Sequence, residues 1–397
     1  MTLSAQSAFT GFSCPQEGLA ENLFETIVCE YASAVLDAFL GQFGGMIRTQ
    51  ATGLSDLLES AVSKPKSSNT VWCPALGDCF QAVQRHDPNA ALSSAAALGL
   101  HLGANGISGN WEAKLAEPTT FLWNKWIVPE CSHLSVENSG TSASLTAGFN
   151  GESKKIRLIY SAVWNAQGTE SIPVIEGARR SLFVLPQKLL TSPKFDGLRT
   201  SAISEPGEKS VSPIEEALEG LKKNLPAYYD WVTRIVGQIF IMEAPDRLVS
   251  GSIQGQLGLL YISNTSDQLA IAEMLIHEAS HQYYYLLSRL GAMDDGSDHK
   301  LYLNPFINAL RPLARIVLGY HAFANVWMFY KTSIDVGFGQ VDRCAHQMDT
   351  IMKRLENMQD IVDGNAALTP IGKALVEPLL VLTSCKNSKN MESLAAS

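Results

Sequence analysis

Three residues with the types and spacing for metal chemistry stand together: His277, Glu278 and His281, an H-E-x-x-H pattern inside Glu273-Met-Leu-Ile-His-Glu-Ala-Ser-His-Gln-Tyr-Tyr-Tyr285. On a helix, positions i and i+4 lie one above the other on the same face, so both imidazoles can aim at one point. Glu278 follows about 100° further round the helix, within reach of a metal-bound water or a neighbouring ligand. A single helix thereby offers two of the three protein ligands that a mononuclear catalytic site needs.

The elements that must position these residues are legible nearby. Leu257-Gly-Leu-Leu-Tyr-Ile-Ser263 has the apolar, branched character of a strand. Thr265 with Gln268 reads as a capping box, and Gly291 as a residue just past a helix end, so the spacing predicts a helix from Ser266 to Leu290. A strand followed by an H-E-x-x-H helix is the zincin arrangement, in which an extended peptide can lie along the strand edge.

Two histidines do not complete a site. The metzincin pattern requires Gly at 284 and His at 287; this chain has Tyr284 and Leu287, which excludes that class. Later candidates are Asp294, Asp295, Asp298 and His299 in an acidic loop, then His321, Asp335 and His346. The loop carboxylates read most simply as solvated surface groups. His321 lies in the otherwise apolar run Pro312 to Trp327. A histidine there is usually a hydrogen-bonded core residue, but the incomplete site upstream makes His321 the leading candidate for the third ligand.

Composition narrows the class. The chain has 397 residues, 46% of them apolar and 17% charged, enough for a sizeable core in two or three domains or one large enzyme fold. A net charge of −9 without any basic run argues against nucleic acid or an anionic membrane surface as partner. Met1 to Glu17 has neither the basic start nor the apolar stretch of a secretory signal, and no apolar run approaches the roughly 20 residues of a membrane span. The seven cysteines are scattered and form no C-x-x-C, which fits free thiols in a reducing cytoplasm.

The expected fold class is α+β, mostly helical, with a central β-sheet region and a zincin-like strand plus H-E-x-x-H helix. Residues 1–120 read as a helical N-terminal region, 121–265 as a β-containing middle and 266–397 as a helical metal-binding region. Within the middle, Thr191 to Val211 reads as a loop rich in Ser, Pro and Gly. A helix over Pro213 to Val236 follows, with Ser212 as its cap.

Four segments in order carry a family resemblance: Gly258-Leu-Leu-Tyr-Ile-Ser, Leu275-Ile-His-Glu-Ala-Ser-His-Gln, Arg311-Pro-Leu followed by Gly319-Tyr-His-Ala-Phe323, and Leu368-Thr-Pro-Ile-Gly372. Across about residues 255–380 the chain resembles the HExxH-motif peptide-modification proteins of ribosomal peptide natural-product pathways. The resemblance implies an Fe(II)- and 2-oxoglutarate-dependent oxygenase that β-hydroxylates a residue of a precursor peptide. Carried over residue by residue, it makes His277 and His281 metal ligands and His321 the third. The family's downstream histidine falls one turn earlier, where this chain has Leu318. A facial triad with open positions suits non-haem iron. Arg311 is the candidate for holding the distal carboxylate of 2-oxoglutarate, a planar fork matching a carboxylate. Glu278 would orient a ligand, a water or a substrate group.

The alternative is a zinc metallopeptidase of the gluzincin kind, with Glu278 as general base. That class takes a glutamate from a downstream helix, and there is no glutamate between Gly291 and Val336.

Overall fold

The structure, a computed structural model, describes residues 5–15, 21–63, 67–161, 163–189, 203–243 and 247–383. Among the described residues the fold is α+β, 53% helix and 22% strand. It divides into two compact units that do not follow chain order. One comprises residues 22–212 and 236–265. The other comprises residues 1–21, 213–235 and 266–397.

The chain opens with α1 (Ala5–Ser13), which belongs to the second, helical unit. The helix–sheet unit then begins with α2 (Glu21–Gln50), α3 (Leu54–Ser63), α4 (Ser68–Val71), α5 (Pro74–Arg85) and α6 (Pro88–Ala104). The last two are punctuated as their sequences dictate. Pro74 and Pro88 occupy first turns, where a missing N–H costs nothing. The Asp87 carboxylate caps α6 by accepting from the backbone N–H groups of Asn89 and Ala90.

Next comes an antiparallel meander, β1 (Gly109–Trp123), β2 (Trp126–Asn138), β3 (Ser142–Phe149), β4 (Glu152–Ser161) and β5 (Val163–Gln167), paired in that order. Its first strand starts well before residue 121. Trp111, Ala113 and Leu115 turn inward and alternate with exposed Glu112, Lys114 and Ala116. Alanine on both faces blurs that period-two signal in the sequence.

A second sheet, β6 (Val174–Ile175), β7 (Leu182–Leu185), β8 (Gln238–Met242), β9 (Ser250–Ser252) and β10 (Leu259–Ser263), has the order β6-β7-β8-β10-β9. β10 is the strand read from the sequence, but it is not an edge. β8 pairs with it in parallel and β9 antiparallel, so both of its hydrogen-bonding sides are taken. A peptide therefore cannot add to β10. The covering strand is Ser-Gly-Ser, which carries no strand signature. Gly251 is needed there because a Cβ would sit 2.0 Å from the Tyr261 hydroxyl oxygen.

The helical unit contains α7 (Glu208–Asn224), α8 (Pro226–Ile235), α9 (Gln268–Leu287), a hairpin of β11 (Tyr302–Asn304) and β12 (Ala309–Arg311), α10 (Leu313–Val336), α11 (Val341–Val362) and α12 (Pro370–Thr383). The single helix expected over 213–236 is two, broken before Pro226. The first begins at Glu208, so Ser212 is not a cap and Pro213 lies inside the helix. Residues 190–202, most of the expected loop, lie outside the described ones. Among the described residues no helix is long and apolar enough to cross a membrane.

Helix α1 is held within this unit by its own chemistry. The last four carbonyls of a helix have no intrahelical partner. Here the Thr10 carbonyl accepts from Cys14 N–H, Gly11 from the Trp231 indole, Phe12 from His321 Nε2, and Ser13 from both His321 Nε2 and the Asn325 amide. Trp231 in turn stacks on Tyr283 of α9 with ring centroids 4.4 Å apart.

Candidate metal centre

Helix α9 starts at a different cap from the one its sequence suggests. Asp267, rather than Thr265 with Gln268, accepts from the N–H groups of Leu269 and Ala270, and its second oxygen is held by Arg343 of α11. The helix ends at Leu287 with Ser288 as C-cap, short of Gly291. This frame keeps the central turns regular and sets His277, Glu278 and His281 as the pattern requires. One ligand atom from each of the three lies within 4.8 Å of the others.

The two imidazoles stand edge to face, centroids 4.7 Å apart at 86°. Each keeps a part-exposed edge, whereas Glu278 is buried. Burial, with a smaller contribution from nearby His321, pushes the His277 pKa down to about 4. His281 is driven well below the usual histidine range by burial, then by His277, His321 and Arg315. Both rings are therefore neutral at pH 7, the form that binds metal. His281 Nδ1 is buried without a hydrogen-bond partner. Two neutral imidazoles and a carboxylate fit a divalent transition-metal ion. His277, Glu278 and His281 would hold it.

Among the described residues the donor cluster does not include His321, although its charge bears on both imidazoles. Its ring is fully buried, and Nε2 donates to the Phe12 and Ser13 carbonyls at 3.2 and 2.8 Å. That uses Nε2 as a side-chain cap of α1, a role open to histidine at a helix C-terminus. His321, expected from the sequence as third ligand, thus has Nε2 engaged by α1, while its Nδ1 has no hydrogen-bond partner. Leu318, one turn earlier, is buried and apolar.

The remaining candidates also lie elsewhere. His299, Asp335 and His346 are exposed, and Asp298 is engaged by the Tyr302 hydroxyl and the Asn365 amide. Asp294 and Asp295 cap their own loop by accepting from Gly296 N–H and Ser297 N–H. Arg311 is exposed at the end of β12. Of the three tyrosines, Tyr283 donates to the Trp231 carbonyl and Tyr284 to the Ala314 carbonyl. Tyr285 alone turns toward the pair, its ring 6.3 Å from that of His281.

Three neighbours of the cluster escaped the sequence reading. Phe323 of α10 packs edge-on against the His277 ring at 4.7 Å, and Phe306 from the hairpin turn stacks on Phe323 at 3.3 Å. Arg315 lies in the first turns of α10, beside the Ala314 carbonyl that anchors Tyr284. It is exposed, its charge acts on His281, and among the described residues its guanidinium has no hydrogen bond or ion pair. The available signal was its position as the only charged residue between Pro312 and Tyr330.

Compared with known protein families and with curated proteins, the chain matches none.

Proposed function

We propose that this protein is a non-haem Fe(II)- and 2-oxoglutarate-dependent oxygenase that hydroxylates a β-carbon in a ribosomally synthesised precursor peptide. The observation that carries the reading is the donor set on α9: two neutral imidazoles and one buried carboxylate within 4.8 Å. A two-histidine, one-carboxylate set leaves positions open for a keto acid and for oxygen. In this reading Glu278 is the third protein donor. Bound there, iron(II) would supply oxygen activation, with 2-oxoglutarate as the source of two electrons.

The chain's own residues have defined tasks. His277 and His281 present neutral nitrogens because their surroundings disfavour the protonated forms. Arg315, an unpaired cation whose charge reaches His281, takes the role first assigned to Arg311, holding a carboxylate of the keto acid. Phe323 and Phe306 form an apolar wall that limits water beside His277. The hairpin supports a peptide as substrate. Leu303 and Leu310 face one another across the strands, with Leu301 two residues before Leu303 on the same side. All three are more than half exposed, an apolar face of the kind that marks interaction sites.

The zinc-peptidase reading has less support. Glu278 belongs to the donor cluster, and α10 offers Asp335 as its only carboxylate, exposed near its far end.

The test is anaerobic loading with Fe(II), followed by addition of 2-oxoglutarate and O₂ and measurement of succinate. Iron-dependent succinate is expected. Arg315→Ala should raise the KM for 2-oxoglutarate about 10- to 100-fold, the worth of a charge-assisted hydrogen bond, with Arg311→Ala near wild type. Zinc-dependent cleavage of casein, indifferent to 2-oxoglutarate, would sink the proposal.

A further inference from the structure

The helix–sheet unit contains a cavity of about 280 Å³ that includes none of the α9 donors. It opens where the α5–α6 pair meets the middle of β1 and the second sheet. The walls there fail to close for two sequence reasons. The side of α6 that lines it carries only the small residues Ala90, Ser93, Ser94 and Ala97 before His101. The β1–β2 register also shifts on both sides of the Thr119–Cys131 pair, leaving Thr120 outside the regular pairing. Phe121, Leu185, Phe240 and Leu259 supply an apolar floor.

The polar groups facing this space are sorted by whether they already have partners. Asp78 accepts from the Gln256 amide at 2.7 Å, Asp87 caps α6, and His101 is joined to Asn105. By contrast, Ser94 is only 6% exposed and its hydroxyl has no hydrogen bond among the described residues. The side chains of half-buried Thr120 and Gln238 likewise have none. Arg85, exposed at the rim, is without an ion pair. These polar atoms keep open surface among apolar walls, so they can pair with a ligand that enters.

We propose that this cavity is a second binding site, for a short peptide segment with one apolar side chain followed by an acidic residue. The apolar side chain fills the space above Phe121 and Phe240. Its flanking amides pair with Ser94, Thr120 and Gln238, neutral groups that can donate and accept. The acidic side chain meets Arg85. The volume, just under the roughly 300 Å³ at the small end of ligand pockets, suits one or two residues.

Saturation-transfer NMR on the full chain with Ac-Leu-Asp-NH₂, Ac-Leu-Lys-NH₂ and Ac-Asp-Asp-NH₂ tests this. Ac-Leu-Asp-NH₂ should bind best, with a Kd of about 1 mM as expected for so small a ligand. Ala97→Phe, which fills the cavity, should abolish its signal. Ser94→Val, nearly isosteric, should weaken it about 5-fold or more. Arg85→Glu should reverse the order of the Asp and Lys peptides. The proposal is overturned if no peptide gives saturation transfer, leaving the cavity to water. It is equally overturned if binding is unchanged in folded Ala97→Phe or Ser94→Val protein, or if Arg85→Glu leaves the order intact.

Discussion

The helical unit holds two kinds of histidine in neighbouring turns of two helices, and they differ in what their nitrogens touch. His277 and His281 sit four residues apart on α9, part-exposed; His281 Nδ1 lacks a partner, as does Nδ1 of His321. His321 sits on α10, fully buried, with Nε2 shared between two carbonyls of α1. Burial holds all three below the ordinary histidine pKa, so neutrality does not distinguish a ligand from a structural residue. What distinguishes them is the direction of the lone pair. In the pair, one nitrogen from each ring converges with Glu278. In His321, the hydrogen-bonded tautomer turns its N–H toward the last turn of α1.

That contrast breaks most cleanly by deletion. Replacing His281 by Ala should take iron bound per chain from near one to near zero, with little change in thermal stability; retained stoichiometry would show that the α9 cluster is not the metal site. His321→Ala should do the reverse. It removes the N–H shared by the Phe12 and Ser13 carbonyls and opens a core cavity, together a destabilisation of about 2–4 kcal/mol in denaturant melts, with metal content per folded chain unchanged. A loss of iron without a loss of stability would return His321 to the ligand set.

Acid sharpens the same comparison with a smaller effect. The His321 pKa is about 4 in the folded chain against an ordinary 6.5. Between those values the unfolded chain takes up a proton that the folded chain refuses, so stability is full above about pH 6.5 and declines as pH falls towards 4. The contribution of this one group is about 3 kcal/mol. A His321→Leu variant should show a shallower decline over that interval. Identical slopes for variant and wild type would mean that other groups govern acid sensitivity.

The sequence by itself determined the H-E-x-x-H helix, the strand that precedes it, the α+β class and the exclusion of a metzincin site. Each of these depends on spacing along one element, and helix geometry converts spacing directly into direction. Tertiary structure decided the rest. Asp267 rather than Thr265 caps α9 partly because Arg343, 76 residues later, holds its second oxygen. The strand β10 has no free edge because Ser250–Ser252, with no strand signature, pairs beside it. The role of His321 depended on α1, more than 300 residues away, whose four end carbonyls need donors and find them in Cys14, Trp231, His321 and Asn325. Arg315 and Phe323 reach the cluster through the packing of α10 on α9. Local spacing fixes which way a side chain leaves its own helix, but only long-range packing settles what it meets.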